Sequence, residues 1–221
     1  EEFIRDNGAI PTFKGYPNHE GTPFPGSICA SVNDVVVHGI PNDVPLKEGD
    51  IVSVDCGTFL DGFCGDSCYT FCVGEVDEAI KKLLQVTKES LYKGIEQAVH
   101  GKRIGDIGSA VQTHCEQNGY GVVREFVGHG IGRDMHESPE VPNYGRKGNG
   151  LQLRQGMCIA IEPMITLGKR QIFMERDGWT VRTRDRKCAA HFEHTVAVGK
   201  NGADILSSFE YVEEVLRKKG Y

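Results

Sequence analysis

The chain has 221 residues, 39% of them hydrophobic, and a formal net charge of −6. This length is near the upper limit for one hydrophobic core, so we expect a single domain over residues 1–221. The acidic balance argues against nucleic acids and anionic membranes as partners, because both are negatively charged, and it suits a bound cation.

The sequence does not indicate export or membrane insertion. No apolar run is long enough to span a bilayer, and the opening "EEFIRDNGAI" lacks the basic flank and apolar segment of a signal peptide. The eight cysteines are therefore interpreted as reduced thiols in a cytoplasmic protein. Cys64, Cys68 and Cys72 leave a zinc–thiolate site open as an alternative, although no C-x-x-C pair accompanies them.

The first third of the chain is predicted to be mostly β-sheet. After a helix end and a short strand within residues 3–10, "SICASVNDVVVHG" resembles a hairpin that turns at Asn33–Asp34, and residues 62–74 continue the sheet. Residues 47–57, "KEGDIVSVDCG", read as a buried strand that ends in a carboxylate, Asp55. Burying an unpaired carboxylate is costly, so Asp55 requires a partner.

Helices are predicted in the middle of the chain and at its end. The first has an apolar stripe with helical spacing, formed by Ile80, Leu83, Leu84, Thr87, Leu91 and Ile95. The second runs from about Gly105 to an Asn118–Gly119 stop. The remaining predictions are strands at 178–183 and 189–199, a final helix within 207–220, and loops at 17–26 and 144–153.

The carboxylate strand occurs twice. Residues 154–164, "RQGMCIAIEPM", match residues 47–57, with Glu162 at the place of Asp55. Two other matches precede the paired strands in the same order: His38-Gly39-Ile40 with His129-Gly130-Ile131, and Asn7–Gly8 with Asn118–Gly119. We infer a duplicated α+β unit whose two halves face each other.

The first unit lacks a counterpart of the helices that open the second unit. We therefore expect that roughly 30 to 45 residues are absent ahead of Glu1, or that this version of the fold lacks those helices.

Polar residues at related strand ends form the candidate site: Asp55, Asp66, His129, Glu162 and Glu193, with His38 and His136 nearby. Four carboxylates can share one pocket only if they are protonated or neutralised, and two divalent cations would balance their charge. The small side chains of Ser53, Cys158 and Ala160 are interpreted as leaving room for those ions. Carboxylate with imidazole is typical of hydrolytic two-metal sites that hold manganese, cobalt, iron or zinc, whereas calcium or magnesium would not need His129.

These residues resemble the type I methionine aminopeptidases. The matching stretches extend from about residue 10 to residue 200 and read "VNDVVVHGIP", "SVDCGTFLDGFCGDS", "GHGIGRDMHESPEVPNY", "IAIEPM", "DGWTVRTRD" and "FEHTV". The resemblance implies the pita-bread fold, which has two pseudo-symmetric halves and a central antiparallel sheet. It also implies removal of the initiator methionine from nascent chains whose second residue is small.

The resemblance implies a role for each site residue. Asp55 would bind one metal and His129 with Glu162 the other, while Asp66 and Glu193 would bridge the pair. Glu162 would also accept a proton from the hydrolytic water. His136 would stabilise the oxygen of the tetrahedral intermediate, and His38 would hydrogen-bond the peptide nitrogen. The methionine side chain would enter a pocket lined by Tyr16, Cys29, Met135 and Trp179.

Three features depart from the family pattern, one of which is the lack of amino-terminal helices described above. Cys64 replaces a histidine that is not a ligand, and residues 18–26 resemble an insertion at the rim of the pocket. The zinc-binding amino-terminal extension of eukaryotic cytosolic members is absent from the sequence, which favours a bacterial or organellar type.

Two alternatives remain open at this stage. One is a proline-specific aminopeptidase or prolidase of the same fold, although those chains carry a large amino-terminal domain and an "IED" strand where this sequence has "HFEHT". The other is a pita-bread protein that binds a partner without catalysis, although all five metal positions hold competent groups. The expected partner is a nascent peptide, with ribosome association left open. We expect a monomer that binds neither nucleic acid nor membrane.

Overall fold

The computed structural model describes residues 1–220. Four helices form in this part of the chain: α1 (Glu2–Asp6), α2 (Glu78–Ile95), α3 (Ile104–Gln117) and α4 (Glu210–Lys218). The strands, in chain order, are β1 (Ile10–Pro11), β2 (Cys29–Val32), β3 (Val35–Val37), β4 (Ile51–Leu60), β5 (Phe63–Cys72), β6 (Gly121–Val122), β7 (Gly128–Gly130), β8 (Glu137–Val141), β9 (Cys158–Ile161), β10 (Met164–Thr166), β11 (Ile172–Met174), β12 (Val181–Thr183), β13 (Ala189–His191), β14 (Glu193–Ala197) and β15 (Asp204–Ile205).

Most strands belong to one nine-stranded sheet. Its main path has the order β1-β4-β5-β14-β9-β7-β8, while β2 also pairs with β4 and β15 with β14. All of these pairs are antiparallel. Two smaller sheets, β13-β10-β6 and β11-β12-β3, complete the strand pairing. The predicted α+β fold with a central antiparallel sheet is therefore confirmed.

The long helices α2 and α3 build the main hydrophobic core together with the sheet. The whole predicted stripe of α2 is buried, and Thr87 satisfies its hydroxyl by donating to the carbonyl of Leu83 at 2.7 Å. A Cβ at Gly94 would lie 3.1 Å from Val111 and 3.3 Å from Ile161, so this glycine lets α2 approach α3 and β9 closely. No helix within residues 1–220 combines the length and apolar character needed to cross a bilayer.

The predicted hairpin at Asn33–Asp34 is correct as a turn and wrong as a strand pair. Asn33 has the left-handed φ of 53° that a tight turn needs. However, β2 pairs with β4, whereas β3 pairs with β12. The reason is burial, because Val36 and Val37 pack in a second core cluster with Val181.

The internal repeat is visible in the pairing of the strands. Ile10 pairs with Phe59, four residues after Asp55, and Gly121 pairs with Thr166, four residues after Glu162. This register reproduces the match between the two Asn–Gly stops.

The His-Gly-Ile match, by contrast, is wrong as a structural equivalence. Gly130 pairs directly with Ile159 on the acid-bearing strand β9. The carbonyl of Gly39 instead accepts from the N–H of Ala30 on β2, which is one strand further from the acid-bearing β4. His38 and His129 therefore reach the centre of the molecule from different strand positions.

Candidate metal centre

Four carboxylates reach one face of the large sheet from neighbouring strands. Asp55 on β4 lies opposite Cys68 on β5, which lies opposite Glu193 on β14. Directly opposed residues project to the same face, and so does Asp66, two residues before Cys68. Glu162 directly follows β9, the other neighbour of β14. We call Asp55, Asp66, Glu162 and Glu193 the acid cluster.

The imidazole of His129 faces the acid cluster. Its Nε2 lies 3.9 Å from Oδ2 of Asp66 and 3.7 Å from Oε1 of Glu162. Ligand atoms of Asp66, His129 and Glu193 all lie within 4.8 Å of one another. The Nδ1 of His129 lies 2.9 Å from the carbonyl oxygen of Gly130, and an N–H donated there leaves the Nε2 lone pair free for a metal.

Backbone contacts fix the carboxylates in place. The Thr195 hydroxyl donates to the carbonyl of Asp66 at 2.8 Å and accepts from its N–H at 3.1 Å, which joins β5 to β14. The buried amide of Asn143 donates to the carbonyl of Glu162 at 2.9 Å. The acids are therefore held by the rigid sheet and its immediate neighbours.

Burial and mutual repulsion raise the pKa values throughout the acid cluster. Burial, followed by the charge of Glu162, raises the pKa of Asp66 to about 7, and burial raises the pKa of Glu162 to about 7. Burial, followed by neighbouring carboxylates, raises the pKa of Asp55 and Glu193 well above the usual range. In residues 1–220 the only basic groups within 4.0 Å of these carboxylates are the imidazoles of His129 and His191.

The donor set fits divalent metal ions. Oδ1 of Asp55 and Oε1 of Glu193 are buried without a hydrogen-bond partner. Such atoms carry the full cost of desolvation unless a proton or a cation compensates it. Carboxylate oxygens with one imidazole nitrogen are ligands that borderline first-row divalent ions accept.

A pocket of about 180 Å³ opens onto the acid cluster. Its walls include Tyr16, Cys29 and Trp179, three of the four residues predicted to contact the substrate side chain, and both predicted non-ligand histidines. Its other walls are apolar and were not identified from the sequence: Phe13, Phe24, Val37, Phe126, Val127 and Met164.

The two non-ligand histidines have distinct surroundings. The Tyr16 hydroxyl lies 2.7 Å from Nδ1 of His136, whose ring centroid is 4.3 Å from that of His129. His38 has a left-handed φ of 57° and lies edge-on to the rings of Phe126 and Trp179. Burial lowers the pKa of His136 and lowers that of His38 to about 4, so both imidazoles are neutral at pH 7.

Met135 and the small strand residues lie elsewhere. Met135 is buried, and a Cβ at Gly57 would lie 2.8 Å from its methyl group; among the described residues it is not one that lines the pocket. Ser53, Cys158 and Ala160, which were interpreted as leaving room for the ions, do not line the pocket either. Instead, the Ser53 hydroxyl lies 2.8 Å from that of Thr70 on the next strand.

The segment at 18–26 forms part of the pocket rim. The side-chain Oδ1 of Asn18 accepts from the N–H groups of Glu20 and Thr22, and its Nδ2 donates to the carbonyl of Gly178. Phe24 packs edge-on against Trp179, with ring centroids 5.2 Å apart. These contacts tie the segment to the loop that carries Trp179.

The zinc–thiolate alternative is excluded by the geometry of β5. Cys64, Cys68 and Cys72 lie on this one continuous strand, so neighbouring thiols of the series are separated by roughly 13 Å of extended backbone. All eight cysteines are free, as predicted.

His191 is a further buried residue beside the acid cluster that the sequence analysis missed. Its Nε2 lies 3.6 Å from Oε2 of Glu162 and 4.0 Å from Oε2 of Glu193. The signal available was its position two residues before Glu193, which in an extended chain indicates the same face.

Comparison with known proteins gives consistent matches over most of the chain. The family model described as metallopeptidase family M24 matches residues 1–200. The methionine aminopeptidase of Clostridium acetobutylicum is 52% identical over 211 residues, which are 95% of this chain and 82% of that protein.

Solved structures agree with these matches. The methionine aminopeptidase of Rickettsia prowazekii superposes with a TM-score of 0.88 at 48% identity, covering 92% of this chain and 81% of that one. The prolidase of Pyrococcus horikoshii is more distant, with a TM-score of 0.64 at 25% identity, and the match covers 82% of this chain and 47% of that one.

Proposed function

The chain belongs to metallopeptidase family M24, among its methionine aminopeptidases, and we propose that it uses two divalent metal ions to remove the initiator methionine from peptides with a small second residue. The observation that carries this proposal is the acid cluster, which has no lysine or arginine partner in residues 1–220 and opens into a pocket. Four buried carboxylates need neutralisation, and two divalent ions supply it.

The five residues Asp55, Asp66, His129, Glu162 and Glu193 would hold the ions. When bound, such ions supply Lewis-acid polarisation and activate water for hydrolysis at neutral pH. Which of manganese, cobalt, iron or zinc serves in the cell depends on availability as well as on the ligands.

The chain's own groups would then manage protons and orientation. Glu162 takes the proton of the attacking water, because its carboxylate faces the pocket beside the other proposed ligands. Tyr16 donates to Nδ1 of His136, which places the ring proton on Nε2 and makes that nitrogen a donor to the carbonyl oxygen of the scissile bond. His38, neutral at pH 7, hydrogen-bonds the peptide nitrogen.

The pocket suits an unbranched thioether side chain. Aromatic and sulfur-containing residues such as Phe24, Cys29, Met164 and Trp179 surround it. Sulfur packs favourably against polarizable groups and at ring edges, so methionine gains more here than an aliphatic side chain of similar size.

A substrate comparison tests the proposal. The metal-stripped protein is reloaded singly with manganese, cobalt, iron or zinc and assayed on Met-Ala-Ser, Gly-Pro and Arg-Pro-Pro. We expect methionine release from the first peptide only, and its loss on chelation. Cleavage of the proline peptides alone would identify a prolidase-like enzyme, and failure to bind any divalent ion would indicate a non-catalytic binding protein.

A further inference from the structure

His191 is held rigidly at the back of the acid cluster. It ends β13, where it pairs with Met164 of β10, and it is only 2% exposed. The hydroxyl of Thr70 accepts from the His191 N–H at 3.1 Å and donates to its carbonyl at 2.6 Å. These two hydrogen bonds fix the backbone of His191, so that only its side chain can adjust.

The imidazole nitrogen that faces the cluster has no partner. Nε2 of His191 is buried and makes no hydrogen bond. Oε2 of Glu162 lies 3.6 Å from this nitrogen, which is a few tenths of an ångström more than a hydrogen-bond distance. A buried donor left in this state is costly, so a small rotation that closes the contact is favourable.

Glu162 lies between two imidazoles that face different oxygens. Its Oε1 faces Nε2 of His129, whereas its Oε2 faces Nε2 of His191. The group of mutually close ligand atoms contains Asp66, His129 and Glu193, and His191 is not a member of it. This arrangement separates a ligand side, at His129, from a supporting side, at His191.

We propose that His191 is a positioning residue, whose Nε2–H donates to Oε2 of Glu162 and so directs Oε1 of that carboxylate toward His129 and the metal. The inference rests on the proposed function, since it assigns Glu162 to a metal. Partners that orient a ligating carboxylate contribute to affinity without touching the ion, and their loss typically costs about 10- to 100-fold.

Two substitutions of His191 distinguish the effect of its hydrogen-bond donor from the effect of its ring shape. His191→Phe keeps a flat ring and removes the donor, whereas His191→Gln keeps an N–H close to the position of Nε2. We expect His191→Phe to weaken Co²⁺ binding to the metal-free protein by about 10- to 100-fold, measured by titration calorimetry, and His191→Gln to restore most of it. The Co²⁺ absorption spectrum of His191→Gln should match that of the unmodified protein, because no ligand has changed.

A matched control is available three residues further along the chain, on β14. His194→Gln alters another fully buried histidine, whose Nδ1 contacts the Ser207 hydroxyl and whose ring stacks on Phe209, away from the acid cluster. It should leave Co²⁺ affinity unchanged.

Several results would overturn the assignment. Equal Co²⁺ affinity in His191→Phe and the unmodified protein would show that His191 does not contribute to the metal site. A weak His191→Gln with an altered Co²⁺ spectrum would make His191 a ligand instead. If His191→Phe does not fold, ¹⁵N NMR of the unmodified Zn²⁺-loaded protein decides, because our assignment requires a proton on Nε2 of His191. Absence of Co²⁺ binding by the unmodified protein would instead refute the proposed function itself.

Discussion

Two groups of acidic side chains in this protein are neutralised in opposite ways. At Asp34 and Glu175, which we call the arginine cluster together with Arg182 and Arg186, each carboxylate lies within ion-pair distance of both guanidinium groups. The acid cluster is more deeply buried, yet in residues 1–220 the only basic groups near it are two imidazoles.

The two clusters differ in whether their charges are balanced by the protein's own side chains. The arginine cluster is internally balanced, with two acids and two permanent cations, so it needs nothing from outside. The acid cluster would carry four negative charges if it were fully ionised, and burial lowers the pKa values of the imidazoles that face it. Such a site is stable only with protons or added cations, which makes it a binding site rather than a structural ion-pair network.

The largest expected effect comes from removing one charge of the acid cluster. Glu193→Gln should lower kcat/KM on Met-Ala-Ser by at least ~10³-fold, since the carboxylate proposed to bridge the metal ions is lost. In EDTA at alkaline pH, however, the variant should resist urea better than the unmodified protein, because a buried carboxylate that repels its neighbours when ionised has gone.

Glu175→Gln in the arginine cluster is the matched control. It should keep full activity and gain no stability in EDTA. An active Glu193→Gln, or one that gains no stability in EDTA, would contradict the contrast between the two clusters.

The metal-free protein should lose stability as pH rises. Folding raises the pKa of Asp66 from 3.8 to about 7 and that of Glu162 from 4.5 to about 7. Between about pH 4 and pH 7 the folded state therefore binds more protons than the unfolded state, so the free energy of unfolding falls with pH across that window and stays low above it.

Urea denaturation at a series of pH values in EDTA measures this slope. Reloading with metal should abolish or reverse it, because cations bind the ionised carboxylates. A flat profile in EDTA would show that the carboxylates are already neutralised in another way.

Smaller losses of kcat are expected for residues whose proposed role depends on one hydrogen bond. His136→Ala should lower kcat by roughly 10- to 1000-fold without reducing bound metal. Tyr16→Phe should lower kcat by about tenfold, because the Nε2–H tautomer of His136 loses its support. Metal content and turnover are measured on the same samples. Full activity in His136→Ala would exclude this residue from the mechanism.

Features of this fold could be predicted from the sequence where they depend on a pattern among neighbouring residues. Asp55 and Glu162 could be identified because period-2 strands repeat around them, and the α2 stripe because its spacing is helical. The turn at Asn33 was equally local.

Features that depend on distant pairing could not be predicted in the same way. The partner of β3 is β12, far along the chain, and its choice follows from a shared apolar core. The spacing of His191 to Glu193 indicates a shared face, but its contact with Glu162 depends on the pairing of β14 with β9, which no spacing rule encodes. The left-handed backbone of His38 likewise follows from its tertiary surroundings.

The smallest expected effect is in the arginine cluster itself. Arg182 is about 29% exposed, and Arg186 also lies within 3.1 Å of Asp34, so Arg182→Met removes one of two cations while keeping much of the aliphatic stem. We expect a loss of about 1 kcal/mol in the free energy of unfolding, and an unchanged kcat/KM on Met-Ala-Ser. Salt sharpens the measurement, because added salt screens this pair and should shrink the difference between variant and unmodified protein. A loss of several kcal/mol that is insensitive to salt would mean that Asp34 is left buried and uncompensated, and the arginine cluster would then be as dependent on its cations as the acid cluster is on metal.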